Sequence, residues 1–167
     1  STIAENSSST VTVTATLSGS ADEDVSVNFT FSGTGANSDY SLFDSINITA
    51  GQTTATADLT PLNDATFELD ETVVIDVSSV SGADATENGT QQVTVTITND
   101  DSAPTVTLAS SASSIAENAG SSLTLTATLS NPTYLAAVMT LGTSGTASEG
   151  SDYASVSDIT IAAGDTT

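Results

Sequence analysis

The side chains able to do chemistry in this chain are almost all carboxylates. Among 167 residues, 21 are Asp or Glu, while Lys, Arg, His and Cys are all absent. Residues 61–71, PLNDATFELDE, hold Asp64, Glu68, Asp70 and Glu71, and residues 99–101, NDD, end a Thr-rich run. Without imidazole, thiol, amine or guanidinium, His-dependent triads, thiol nucleophiles and Schiff-base chemistry are excluded. Two carboxylates could in principle hydrolyse a glycoside. A sugar site usually wants aromatic platforms, and aromatics are only 4% here, with no Trp, so we expect no catalysis. What clustered oxygens do well is hold a hard cation. Ca2+ takes about six to eight oxygens at roughly 2.3–2.6 Å in irregular cages, whereas Mg2+ demands a tight octahedron. Zinc and copper favour nitrogen and sulfur donors that this chain lacks. Calcium is therefore the expected cofactor, with more than one ion.

Charge points the same way. A net charge of −21 repels nucleic acid and anionic membrane and attracts cations. Two unit charges 4 Å apart repel by about 1 kcal/mol in bulk water and about 4 at an effective dielectric near 20. Several such pairs rival the ~5–15 kcal/mol that holds a typical domain folded. No apolar run approaches the ~20 residues of a membrane span, so membrane insertion is not expected. The absence of Cys excludes disulfides, the absence of Lys excludes Lys–Asn crosslinks, and with Arg absent too trypsin has no cleavage site.

The elements that must position these acids are strands. TIAENSSSTVTVTATLS (2–18) recurs as SIAENAGSSLTLTATLS (114–130), and NSDYSLFDSINITAGQTT (37–54) as GSDYASVSDITIAAGDTT (150–167). Ile3 matches Ile115 and Thr54 matches Thr167, offsets of 112 and 113 residues. That period is too long for a solenoid turn and suits a sandwich domain. The chain reads as a window on a tandem array: 1–101 is one repeat lacking its first strand, and 102–167 is the first half of a second. Alternation predicts strands at 10–18, 25–32, 44–49, 53–60, 72–78 and 91–98, with an opening strand of the second repeat at 105–109. Val11, Val13, Ala15 and Leu17 point inward, as do Val73, Ile75, Val77 and Val93, Val95, Ile97; Thr dominates the outer face. No helical period competes, so the fold class is an all-β antiparallel sandwich.

Counting chain reversals sorts the acids. If the loop holding Glu5 is at one end, that end also receives Asp39, Asp64, Glu68, Asp70, Glu71, Asp100 and Asp101. Asn63 and Asn99 add amide oxygens there. The run DED at 22–24 goes to the opposite end and, with Asp84, Glu87 and Asp158, reads as ordinary solvated turn acids.

IAEN, GT followed by SDY, AGQTTATADLTPLNDATFELDETVVIDV (50–77) and VTVTITNDD (93–101) together resemble the Calx-beta domain. The resemblance covers nearly all of 1–101 and the first half of the second copy. It implies an immunoglobulin-like sandwich, known from exchanger regulatory regions and from large bacterial surface and adhesion proteins. Its calcium ligands map onto Glu5, Asp39, Asp64, Glu68, Glu71, Asp100 and Asp101, and in the second copy onto Glu117 and Asp152. Where family members often carry Asp, this chain has Asn63 and Asn99, which ligate without charge.

Only Ser102 and Ala103 separate NDD from Pro104, after which TVTL begins the next repeat. A linker that short, stiffened by Pro, is no free tether. The expected role is a non-catalytic calcium-binding structural repeat of a secreted filament or large surface adhesin, its partners being neighbouring repeats or copies of itself. A calcium-sensing regulatory module and a ligand-binding adhesin domain remain as alternatives. Sequons at Asn6, Asn28, Asn47 and Asn88 suit an extracellular location. The missing first strand leaves a sheet edge that a neighbour could fill.

Overall fold

Thr alternates with Val, Ala or Ile in VTVTAT (11–16), TATA (54–57) and VTVTIT (93–98), and β-branched residues at period two favour extended backbone with one buried face. A computed structural model describes residues 1–118 and 120–167. It contains β1 (Thr2–Ala4), β2 (Val11–Thr16), β3 (Val25–Gly33), β4 (Ser45–Ile48), β5 (Thr54–Leu59), β6 (Glu71–Ser81) and β7 (Gln92–Thr98). These are followed by β8 (Val106–Ser110), β9 (Leu125–Leu129), β10 (Ala137–Met139) and β11 (Ile159–Ile161). The chain divides into two units: residues 1–64 with 69–100, and residues 65–68 with 101–167. Among the described residues there is no helix long and apolar enough to cross a membrane.

In the first unit, one sheet runs in the order β1-β7-β6-β3-β4, and β2 pairs with β5 in a separate ladder. Their inner faces share one core: Ile3, Val13, Tyr40, Ile46, Leu59, Val73, Ile75, Val95 and Ile97. Phe43 packs edge-on against Phe29 and Phe31, with centroids 5.5 and 5.3 Å away, and closes one side of this core. All neighbours are antiparallel except β1, which runs parallel to β7 through Thr2↔Thr96, Ile3↔Ile97 and Ala4↔Thr98.

The strands differ from expectation at two places. Residues 2–4 lie outside those that alternation predicts. They form a strand because Ile3 is buried in the core and Glu5 N continues the pairing by donating to Thr98 O at 3.0 Å. Val93 alternates with Val95 and Ile97 but is 44% exposed. The facing ladder has only two strands and leaves that end of β7 uncovered.

In the second unit, β8 pairs with β9 and β10 with β11, all antiparallel. Ala127, Leu129 and Ile161 are buried, with Ala137, Met139 and Ile159 packed on them. Ala137↔Ile161 and Met139↔Ile159 reproduce the pairing of Val25↔Ile48 and Val27↔Ile46 in the first unit. Residues 65–68 belong here because Phe67 is held by backbone: its N donates to Pro132 O at 2.9 Å and its O accepts from Tyr134 N at 3.2 Å.

Candidate metal centre

Strand ends launch the acids, and a small set of backbone contacts fixes where they go. Gly33 ends β3 at φ +120°, where a Cβ would lie 2.1 Å from Thr72 O. Glycine there lets the 33–40 loop fold tightly over the start of β6. Thr34 N and Gly35 N both donate to Thr72 O, and Thr72 N donates back to Thr34 Oγ1 at 2.9 Å. This sets Glu71 beside the loop: its Oε2 would be 3.4 Å from a Cβ at Gly35. The loop then closes on itself, because Asp39 Oδ2 accepts from Ala36 N at 2.6 Å and Oδ1 from Ser38 Oγ at 2.8 Å. Tyr40 bridges to Pro61, and Leu62 N donates to Asp39 O, which ties the loop to the chain leaving β5.

On the far side of the same end, β1 delivers Glu5. Its Oε1 accepts from Asp64 N at 3.0 Å. Asn99 N donates to Asp70 Oδ1 at 3.2 Å, and Asn6 Nδ2 donates to Asp100 Oδ2 at 2.6 Å. Among the described residues Glu5 and Asp39 are the two buried acids, at 4% and 7% exposure. Glu5 and Asp64 offer carboxylate oxygens within 4.8 Å of each other, and Asp39 and Glu71 form a second pair on the same criterion. Two buried carboxylates, each with an acidic neighbour, in a chain with no basic side chain are costly unless positive charge arrives from outside. The field is visible at Tyr40, whose phenol is pushed above its usual 10.0 by burial first, then by Asp39 and Glu71.

Each expected ligand can now be placed. Glu5, Asp39, Asp64, Glu71, Asn99 and Asp100 gather at one end of the first unit. Asn63 is there too, but its Nδ2 donates to Asp64 O at 3.0 Å. Glu68 and Asp101 are assigned to the second unit. Glu117 is exposed, and Asp152 Oδ2 accepts from Ser148 N at 2.7 Å; neither joins a group of three acids among the described residues. Asn6 was not an expected contributor. Only its place next to Glu5 in the recurring IAEN could have flagged it. The sequons sort by environment: Asn28 and Asn47 lie in strands with their amides bonded to Ser79 and Asp24, whereas Asn88 sits in an exposed bend.

No family model matches the chain. No curated protein sequence matches it either. Solved structures do. The calcium binding domain CBD12 of CALX1.1 is 23% identical with a TM-score of 0.50, and CBD12 from CALX1.2 is 21% identical with the same score. Each alignment covers 60% of this chain and 41% of the other, so the chain spans well under half of those structures. At this level of identity, what the chain shares with the CALX calcium-binding domains is their all-β fold.

Proposed function

We propose that the acidic end of the first unit binds Ca2+, and that the chain is a non-catalytic structural repeat of an extracellular filament or surface adhesin whose junctions calcium stiffens. The observation that carries the reading is the two pairs of carboxylates, Glu5–Asp64 and Asp39–Glu71, each with one buried member, in a chain without a single Lys, Arg or His. In this reading each pair supplies two carboxylates to an ion. Backbone carbonyls and the Asn63 and Asn99 amides are available to fill a coordination shell of about six to eight oxygens. The similarity to structures of calcium-binding domains supports the same cation.

The structural role rests on connectivity. The chain passes between its two units three times, after Asp64, after Glu68 and after Asp100. Asp64, Glu68, Asp100 and Asp101 are the residues at those crossings. An ion held at the acidic end of the first unit would immobilise Asp64 and Asp100, where the chain leaves that unit, and restrict bending there. Millimolar extracellular calcium would occupy even weak sites of about 10⁻⁴–10⁻³ M affinity to a large extent. The matching register of the β3–β4 and β10–β11 pairs supports reading the units as repeats of one design.

Titration calorimetry and small-angle scattering test both levels. We expect Ca2+ to bind with sub-millimolar to millimolar affinity, Mg2+ to compete poorly, and chelator to make the particle less extended. No calcium heat would overturn the binding reading. Binding without a change in dimensions would overturn the stiffening role alone. A large shape change at micromolar calcium would favour the sensor instead.

A further inference from the structure

We propose that Asn88 is a site of spontaneous deamidation, converting to aspartate and isoaspartate through attack by its own backbone. The chain has nine asparagines, and Asn88 is the one followed by glycine. Both residues lie in an exposed bend between β6 and β7. Gly89 has φ +69°, and a Cβ built on it would meet nothing within 4 Å, so the backbone is open on that side. Glycine also lets φ and ψ swing to bring its nitrogen towards the Asn88 Cγ. The Asn88 side chain has no hydrogen-bond partner among the described residues.

In the reaction, the Gly89 nitrogen bonds to Asn88 Cγ and the Cγ–Nδ2 bond breaks. The side-chain nitrogen leaves as ammonia, taking up the proton from the Gly89 amide. The product is a five-membered cyclic imide. Water then opens it at either carbonyl: one product is aspartate, the other isoaspartate, with an extra methylene in the main chain. No oxidant and no enzyme is needed.

The other asparagines are held back for visible reasons. Asn6, Asn63 and Asn131 donate their side-chain amides to Asp100 Oδ2, Asp64 O and Ser102 O. Asn131 is also followed by Pro132, which has no N–H to lose. Asn28 and Asn47 are locked in β3 and β4, whose extended backbone must break pairing to cyclise. Asn37, Asn99 and Asn118 precede Ser, Asp and Ala, whose Cβ hinders ring closure.

The change would be felt locally. Gln91 Nε2 donates to Asn88 O at 2.7 Å, Gln91 N donates to Glu87 Oε1, and Gln91 O accepts from Val77 N at 3.3 Å. A new carboxylate beside Glu87, or a lengthened main chain, disturbs the anchor that starts β7. It also erases the Asn-Gly-Thr sequon.

The test is to incubate the purified chain at neutral pH and physiological temperature and follow it by peptide mapping. The protease must cut after acidic residues, because trypsin has no site. We expect a gain of about one dalton, confined at early times to the peptide holding Asn88. Isoaspartate should exceed aspartate, and the rate should rise with pH as the attacking nitrogen loses its proton more readily. Asn88→Gln should abolish the early product without altering the backbone, and Gly89→Ala should slow it by an order of magnitude or more. The proposal is overturned if another asparagine reacts first, or if Gly89→Ala reacts as fast as the parent.

Discussion

Glu5→Gln should stabilise the calcium-free protein and weaken its calcium binding in the same molecule. Gln keeps the Oε1 acceptor that Asp64 N uses at 3.0 Å, so the backbone contact survives. Its amide also gains acidic acceptors close by, since Asp64 has a carboxylate oxygen within 4.8 Å. What is lost is one negative charge that is 4% exposed. At 4.8 Å two unit charges repel by about 0.9 kcal/mol in water and about 3.5 at an effective dielectric near 20. Partial relaxation makes about 1 kcal/mol a reasonable yield, which raises the Tm of a domain this size by about 4–8 °C. With saturating Ca2+ the sign reverses, because a charged ligand has been replaced by a neutral one. Differential scanning calorimetry in chelator and in calcium reads both effects on one sample. If Glu5→Gln melts no higher than the parent in chelator and binds calcium as well as the parent, the charge argument is wrong.

Three further outcomes follow from the same geometry. The phenol of Tyr40 is raised above 10.0, so the unfolded chain ionises first; stability is intact below that value and falls as pH climbs from it towards the folded-state value. Tyr40→Phe should remove that part of the alkaline loss, seen as a flatter Tm-against-pH curve above pH ~10, and saturating Ca2+ should also flatten the parent curve, because neutralising Asp39 and Glu71 lowers the folded-state value towards 10.0. Gly33→Ala forces a Cβ to 2.1 Å from Thr72 O at a positive φ, and should cost more than the ~1 kcal/mol of an ordinary substitution, with urea denaturation showing a lowered midpoint and calcium affinity falling as Glu71 moves. Asp22→Asn, at the end opposite the two carboxylate pairs by strand count, should leave calcium affinity unchanged in calorimetry, which would fail if binding were only diffuse attraction to a net charge of −21.

Much of the fold was legible because its strands announce themselves. Val73, Ile75, Val95 and Ile97 alternate with Thr, Val and Asp, and all four are buried. β1 was not legible, since three residues with one apolar side chain carry no period, and only the tertiary slot beside β7 makes Thr2–Ala4 extended. Val93 misled for a related reason: alternation says which way a side chain points, not how far the opposite ladder reaches. For the site, strand reversals could give an end of the domain but not a partner. Glu5 and Asp64 are 59 residues apart in sequence, and their contact depends on β1 lying along β7. Nor could the sequence show that Asn63 turns its amide onto a backbone carbonyl. The Asn6–Asp100 bond was hidden because the recurring IAEN marks Asn6 but points to no partner 94 residues away.

The central claim is that divalent cations supply the positive charge this polypeptide lacks. A crystal structure grown in calcium, with the anomalous signal recorded, addresses it most directly. The account predicts anomalous peaks at the acidic end of the first unit, about 2.3–2.6 Å from carboxylate oxygens that include Glu5 and Asp39. Well-ordered side chains there surrounded by water alone, with no anomalous peak at millimolar calcium, would contradict it.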